Sequence, residues 1–439
     1  MMSLFKKPQP QSSDRDPMNL EVFPYEIIQL LLDYLPVEDL LNGTLVSKSW
    51  NETIGSSVAF KKKVAIKLHS WNEHPPTEIL KSNRTYEIVS LSNFKLSSQM
   101  FHCLADKNWR TVTLSIGKVS SQKTFVKIMD NFITARNLRI MSTNIRELNS
   151  HQKVELPDLE SLVLSDVTLD LFDTILVPHP SLKVLSLRYV SCDILSPRRT
   201  GEAIVEFLIL NPQINNLEIN YVVTNDLFMT NICEKVDAKF KVLTIGLDET
   251  QDAVKANIEK FLNFQGNELE HLKLVLHQKF VKKGPNEWGY WDQQPGNVGD
   301  EKPSNELLIL FNAWNSMTHL KSLSLRFLKK SSELPGLRDL SKSLRPNTNL
   351  KTIFIQFMDV TIPSTLMENL LRLAPNLHTL YVSNLTSSIV RYAASNLKLL
   401  RVLQCFSFEE NCQQEYAELK ASRNDINNLI VIGDQCAFG

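Results

Sequence analysis

The sequence lacks most of the signals by which secreted proteins, membrane proteins and enzymes are read. Among 439 residues there are six cysteines (Cys103, Cys192, Cys233, Cys405, Cys412, Cys436), with no C-x-x-C pair and no regular spacing. That pattern excludes a disulfide frame or a zinc cluster and fits reduced intracellular thiols. Charge of one sign is also missing: 48 Lys and Arg stand against 48 Asp and Glu. A balanced chain leaves no electrostatic footprint for nucleic acid or an anionic membrane, so neither is expected as a partner. The short basic runs Lys6-Lys7 and Lys61-Lys62-Lys63 read as solvated faces. No apolar run reaches the ~18 residues that span a bilayer. Residues 1–18 have no apolar signal core and are rich in Pro, Gln and Ser, the composition of a disordered tail. No G-x-S-x-G elbow, P-loop or glycine-rich dinucleotide fingerprint occurs. The nine histidines are scattered, without metal-ligand spacing. The expectation is a chain with no catalytic residues, no metal and no cofactor.

What is present begins at Asn19–Lys63. Ile27, Leu30, Leu31, Tyr34 and Leu35 recur with the spacing of one helical face. Pro24 can open this helix and Pro36 stops it, because proline disfavours helical dihedrals in the residue before it. A second short helix starts near Val37-Glu38-Asp39, with acids in its first turn, and runs to Leu41. Gly43 is a break, and a third helix begins near Ser47 and carries Trp50. Three short helices with this much apolar surface imply a partner. The residues Phe23-Pro24-x-Glu26-Ile27, Tyr34-Leu35-Pro36, Asp39-Leu40 and Val46-Ser47-Lys48-x-Trp50 resemble an F-box. Phe23 stands for the usual Leu and Ser47 for the usual Cys. The resemblance implies docking on the Skp-type adaptor of a cullin-based ubiquitin ligase. It carries Pro24, Ile27, Leu35, Leu40, Val46 and Trp50 over as adaptor contacts. The alternative is a small helical cap on the following domain.

From about residue 84 onward a second pattern returns, apolar-x-x-apolar-x-apolar. Leu159-x-x-Leu162-x-Leu164, Leu182-x-x-Leu185-x-Leu187, Leu269-x-x-Leu272-x-Leu274 and Leu377-x-x-Leu380-x-Val382 are clear copies. The starts are mostly ~20 to 32 residues apart, the period of leucine-rich repeats, and about thirteen copies can be aligned. The last two apolar residues of each copy lie two apart and point to one face of a short strand. Between copies lie stretches with helical period, such as Ala203–Leu208, Val254–Leu262 and Thr365–Leu373, and Pro157, Pro180, Pro212, Pro346 and Pro375 precede strands. Strand, turn and helix repeated in this way stack into a solenoid with one continuous core. The expected fold class is therefore α/β: a small N-terminal three-helix F-box, then a curved leucine-rich-repeat solenoid with parallel strands concave and helices convex. The expected boundaries are F-box 19–65, linker or helical cap 66–85, and solenoid 86–435. Taken together the chain resembles F-box proteins with leucine-rich repeats.

One position departs from the repeat pattern. The ninth residue, commonly Asn or Cys, is Val167, Val190, Val222, Leu328, Met358 or Leu385 here, so the turns need some other polar support. On the concave face the C-terminal half gains Lys273, Arg326, Phe354, Gln356 and Tyr381, while earlier strands offer mainly small hydroxyls. Aromatic residues with Arg are the composition of binding hot spots; the alternative is that Phe354 and Tyr381 merely stack across strands. A loop insertion at about 277–304 separates two copies and carries Trp288, Tyr290 and Trp291. These three either form a lid on the concave face near Phe354 or anchor the loop to the solenoid. Cys436 opens the last four residues, Cys436 to Gly439, but that terminal residue and the lack of a polybasic run argue against prenylation.

The resemblance implies a non-catalytic substrate-recognition subunit of an SCF-type ubiquitin ligase. Its partners would be the Skp-type adaptor, the cullin and RING subunits through it, and an unidentified protein substrate, in the cytoplasm or nucleus. The alternatives are a scaffold that binds the adaptor without directing ubiquitination, and a receptor whose concave pocket holds a small molecule. Lys273 and Arg326 suit an acidic or phosphorylated motif.

Overall fold

The computed structural model describes residues 23–69, 84, 86–92, 104, 108–145, 152–190, 197–220, 228–247, 252–276, 280–284, 287–290, 306–327, 344–357, 364–408, 412–422 and 428–431. The chain divides into two compact units, Met1–Val112 and Thr113–Gly439.

In the first unit four helices follow in close succession: α1 Tyr25–Tyr34, α2 Val37–Gly43, α3 Lys48–Ser56 and α4 Val58–Lys63. Pro24 lies just outside α1, and its carbonyl accepts from Ile27 and Ile28. Leu35 is extended ahead of Pro36, the stop that proline imposes. Gly43 is the last residue of α2 rather than a break after it. A Cβ there would lie 2.6 Å from Ile54 Cδ1, so the glycine lets α3 pack close. Ser47 and Ser57 are N-caps, accepting from the backbone N–H of Trp50 at 3.2 Å and of Phe60 at 3.1 Å. The fourth helix is an addition to the three expected. Its Ala59 and Phe60 are buried, and Val58 N donates to Gln29 Oε1 on α1 at 3.1 Å. Ile28, Leu32, Leu40 and Ile54 complete the core. Immediately after α4, where a linker or cap was expected, strand β1 (Ala65–His69) pairs in parallel with β2 (Ile88–Ser92), burying Ile66, Leu68, Val89 and Leu91.

Strand β3, Thr111–Ser115, begins in the first unit and ends in the second. The second unit continues with β4 (Gly117–Val119), β5 (Asn137–Ile145), β6 (Ser161–Val167), β7 (Val184–Arg188), β8 (Asn216–Asn220), β9 (Val242–Leu247) and β10 (His271–Leu276). A separate two-stranded antiparallel hairpin follows, β11 (Phe280–Gly284) with β12 (Glu287–Tyr290). Then come β13 (Ser322–Phe327), β14 (Thr352–Phe357), β15 (Thr379–Leu385), β16 (Val402–Phe408) and β17 (Asn428–Val431). The hairpin lies inside the insertion read as a loop, where glycine and proline hide any alternation. Strands β5 to β10 and β13 to β17 stand in chain order in one parallel sheet. Helices such as Pro197–Leu210, Asp252–Gln265 and Ser364–Arg372 return the chain between strands. This is the strand-and-helix alternation of a leucine-rich-repeat solenoid.

The repeats stack in register. Leu162 pairs with Leu185, Leu185 with Leu217, Leu217 with Leu243, and Leu243 with Leu272. The column continues across the insertion through Leu323, Ile353, Leu380 and Leu403. All are buried. Aromatic rings close the other side: Phe172 and Phe207, both on helices, lie 5.3 Å apart, and Phe240, just ahead of β9, lies 6.3 Å from Phe261 on a helix.

The turns use two devices in place of a polar ninth residue. Ser142 within β5, Asp166 near the end of β6 and Tyr189 just past β7 adopt positive φ (43°, 54° and 52°) at matching points of three successive repeats. Each left-handed residue costs about 1–2 kcal/mol. Each kink aims the next side chain inward, and Thr143, Val167 and Val190 are fully buried as a result. Leu385 is buried as well, while Val222, Leu328 and Met358 lie outside the described residues. Before the strand, amide side chains bridge repeats. Gln265 Oε1 accepts from Phe240 N at 3.0 Å, Asn347 Nδ2 donates to Met317 O at 2.7 Å, and Asn376 Nδ2 to Thr348 O at 3.1 Å. Gln265 and Asn347 are buried and Asn376 half-buried, and such cross-turn amides hold adjacent repeats in register without a polar residue on the strand.

Candidate functional site

Two surfaces offer chemistry. The first is on the N-terminal helices. Helix α1 buries only Ile28 and Leu32. Ile27, Leu30, Leu31 and Tyr34, one turn apart along its other face, are exposed, Tyr34 at 86 %. Tyr25 and Val37 extend that apolar exposure, as do Leu41, Leu45 and Val46 around the α2–α3 turn, Val46 at 70 %. Exposed apolar area of this extent on so small a unit marks a docking surface.

Of the adaptor contacts expected from the sequence, Pro24, Ile27 and Val46 are exposed, while Leu35 and Trp50 are half-buried. Leu40 is 0 % exposed and packs in the core of the helices. Leu30, Leu31, Tyr34 and Leu45 were not among the expected contacts. The period of α1 named three of them as one face, but spacing alone does not say which side of a two-faced apolar helix looks inward.

Residues 20–62 are an F-box domain. The match covers α1 to α3, α4 as far as Lys62, and both serine caps, and the exposed apolar face is therefore a face of the F-box. Following the F-box in sequence is a parallel-strand domain of leucine-rich-repeat type. Comparison with curated proteins finds no match. Among solved structures the chain is similar to the leucine-rich repeat-containing protein LegL7 from Legionella pneumophila, at 16 % identity, 73 % of this chain, 90 % of that chain and a TM-score of 0.39. It is also similar to the protein in the TLR13–ssRNA13 complex, at 13 % identity, 81 % of this chain and a TM-score of 0.37, and spans 55 % of that chain. The repeat assignment rests on this chain's own register.

The second surface is the sheet face opposite the helices. Lys273, Ser324, Phe354 and Tyr381 form one row across β10, β13, β14 and β15, and Arg326 pairs with Gln356 in the next row. The register thus gathers the five expected residues on four neighbouring strands. Phe354 and Tyr381 do stack, with centroids 5.8 Å apart and planes at 43°, and both remain half-exposed. Stacking and availability therefore coexist. Among the described residues neither Lys273 nor Arg326 has an ion-pair partner, and Arg326 Nε is buried without an acceptor. Of the insertion's aromatics, Trp288 and Tyr290 lie on β12, and Trp291 lies outside the described residues.

Sequence reading described the earlier strands as bland, and the structure adds a charged cluster there. Glu218 Oε2 accepts from Arg188 Nη2 at 2.7 Å and from Ser186 Oγ at 2.6 Å. This cluster answers its own charge, unlike Lys273 and Arg326.

Among the described residues no three His, Cys, Asp or Glu side chains gather as a metal site, and no helix is long and apolar enough to cross a membrane. Burial pushes the Cys405 thiol up to about 11, with Cys412 adding to the effect, and burial raises Cys233 as well. Cys405 is a core residue, Cys233 is half-buried, and a raised pKa disfavours the thiolate form in which a cysteine acts as a nucleophile.

Proposed function

We propose that this chain is the substrate-recognition subunit of an SCF-type ubiquitin ligase, contributing no chemistry of its own. The observation that carries the reading is the F-box whose apolar α1 face and α2–α3 turn stand open. Skp-type adaptor would cover that surface, and cullin and RING subunits would follow through the adaptor. The repeat domain would then hold a protein substrate near the ubiquitin-charged enzyme, where fixed proximity raises the effective concentration of a substrate lysine. Lys273, Arg326, Phe354, Gln356 and Tyr381 are the substrate surface in this reading, with Trp288, Tyr290 and Trp291 of the insertion beside them. An aromatic pair flanked by two cations with no ion-pair partner among the described residues suits an extended segment carrying an aromatic or apolar anchor and an acidic or phosphorylated group.

The test is affinity capture of the full chain from cells, with adaptor, cullin and RING subunits read by mass spectrometry. Recovery of all three, lost together on Leu31→Asp with Tyr34→Asp, is the expected result. Recovery of adaptor without cullin would replace this reading with a scaffold that uses the adaptor alone.

A further inference from the structure

A row of basic residues runs along the edge of the sheet where the strands begin. The residue just before each strand bonds to its counterpart in the previous repeat: Lys351 N donates to Lys321 O at 2.9 Å, His378 N to Lys351 O at 2.8 Å, and Arg401 N to His378 O at 2.8 Å. These bonds place Lys321, Lys351, His378 and Arg401 in line, one repeat apart. The segments leading into these strands, 317–322, 344–352, 373–379 and 397–402, contain no Asp or Glu, in a chain whose charges otherwise balance. The row has a defined start, because one repeat earlier the position is Glu270, which binds Lys321 at 2.6 Å and Lys241 at 3.8 Å. Beyond that pair, Lys351, His378 and Arg401 have no ion-pair partner among the described residues. At neutral pH Lys351 and Arg401 carry the charge of the row, and both oppose a proton on His378 between them. His378 is held below its ordinary value first by burial and then by Lys351 and Arg401, the charged groups that face it.

We propose that this edge docks an acidic stripe on a helix of a partner protein. The spacing selects the helix. Neighbouring strands lie about 4.8 Å apart, whereas same-face residues of an extended segment are about 6.7 Å apart. Side chains three and four apart on a helix are about 5–6 Å apart, within the reach of Lys and Arg. Over three steps the helix stays nearly in phase with the row, and an extended peptide falls out of phase by more than one repeat. Docking here is independent of the F-box, and its test uses no adaptor.

The experiment measures binding of the full chain to two blocked, alanine-rich peptides of identical composition. One carries glutamates in a single i, i+4 stripe, and the other spreads them around the helix. At low ionic strength the striped peptide is expected to bind at least about tenfold more tightly, as several exposed charge pairs acting together allow. Its binding weakens as salt shortens the screening length from about 30 to about 10 Å. Its carboxylates also raise the NMR-detected pKa of His378, which a contact elsewhere would leave in place. Lys351→Glu with Arg401→Glu abolishes binding, and Lys351→Gln with Arg401→Gln, milder for the fold, weakens it. Equal binding of the two peptides, tighter binding of a single-stranded oligonucleotide, or indifference to both variant pairs would overturn the proposal.

Discussion

The side-chain oxygen of Asn211 accepts the backbone N–H of His179 at 2.6 Å, joining the end of one repeat's helix to the approach of the previous repeat's strand. The Asn211 amide also donates to the carbonyls of Phe207 at 2.9 Å and Val177 at 3.2 Å, and the residue is fully buried. One side chain thus satisfies three backbone groups that the turn would otherwise strand away from water.

Asn211→Ala should destabilise the chain by about 1–3 kcal/mol, because it leaves buried backbone groups unpaired. Urea unfolding of the full chain reads this as a lower midpoint. Exposed Asn396, whose amide donates only to Tyr392 O in its own helix, serves as control. Equal effects at both positions would show that the bridge between repeats carries no weight.

His179 supplies a pH dependence. Burial holds its imidazole below the ordinary 6.5, against opposing backbone bonds to Ile175 and Leu156 and the charge of Glu155. As pH falls, the unfolded chain takes up the proton first. The contribution of His179 is thus fully present above 6.5 and is lost as pH drops from 6.5 toward the lower folded value. Unfolding free energy should decline as pH falls below about 6.5, and His179→Gln should flatten that decline. Parallel declines in the two proteins would contradict the assignment.

Two leucines of the F-box should separate stability from binding. Leu40 is fully buried and Leu31 is 56 % exposed. Leu40→Ala should cost about 2–5 kcal/mol, measured by thermal or urea unfolding. Leu31→Glu should stay within about 0.5 kcal/mol of the parent and instead remove partner binding. The reverse outcome would mean that α1 is turned the other way.

The strand columns were legible because their signal is local. Leu162 and Leu164, or Leu380 and Val382, are two apart and fully buried, so spacing predicts both the strand and its inward face. Even the interval across 277–304 keeps register, since the insertion leaves by its own hairpin. Helix α4 was illegible because Val58–Lys63 reads as a basic run, and only the fold shows Phe60 beneath it. The amide bridges were illegible for another reason. Asn211, Gln265 and Asn347 sit at turns of unequal length, and their partners lie 25 to 32 residues away. The burial of Leu40 was not legible either, because a motif position identifies a residue that matters without saying whether it packs or docks.

On the open sheet face, Lys273→Glu with Arg326→Glu should lose the proteins that the parent chain captures through its repeat domain while leaving adaptor recovery unchanged. Mass spectrometry of both captures decides this. An unchanged set of captured proteins would remove these two cations from the recognition surface.

The most direct test of the central claim is the affinity of purified Skp-type adaptor for the full chain, measured by calorimetry with the parent and with Leu31→Asp, Tyr34→Asp. The account predicts a stable one-to-one complex with the parent and at least about a hundredfold loss in the variant, the effect of placing two charges in a desolvated hot spot. Binding that is absent in the parent, or equal in both proteins, would contradict it.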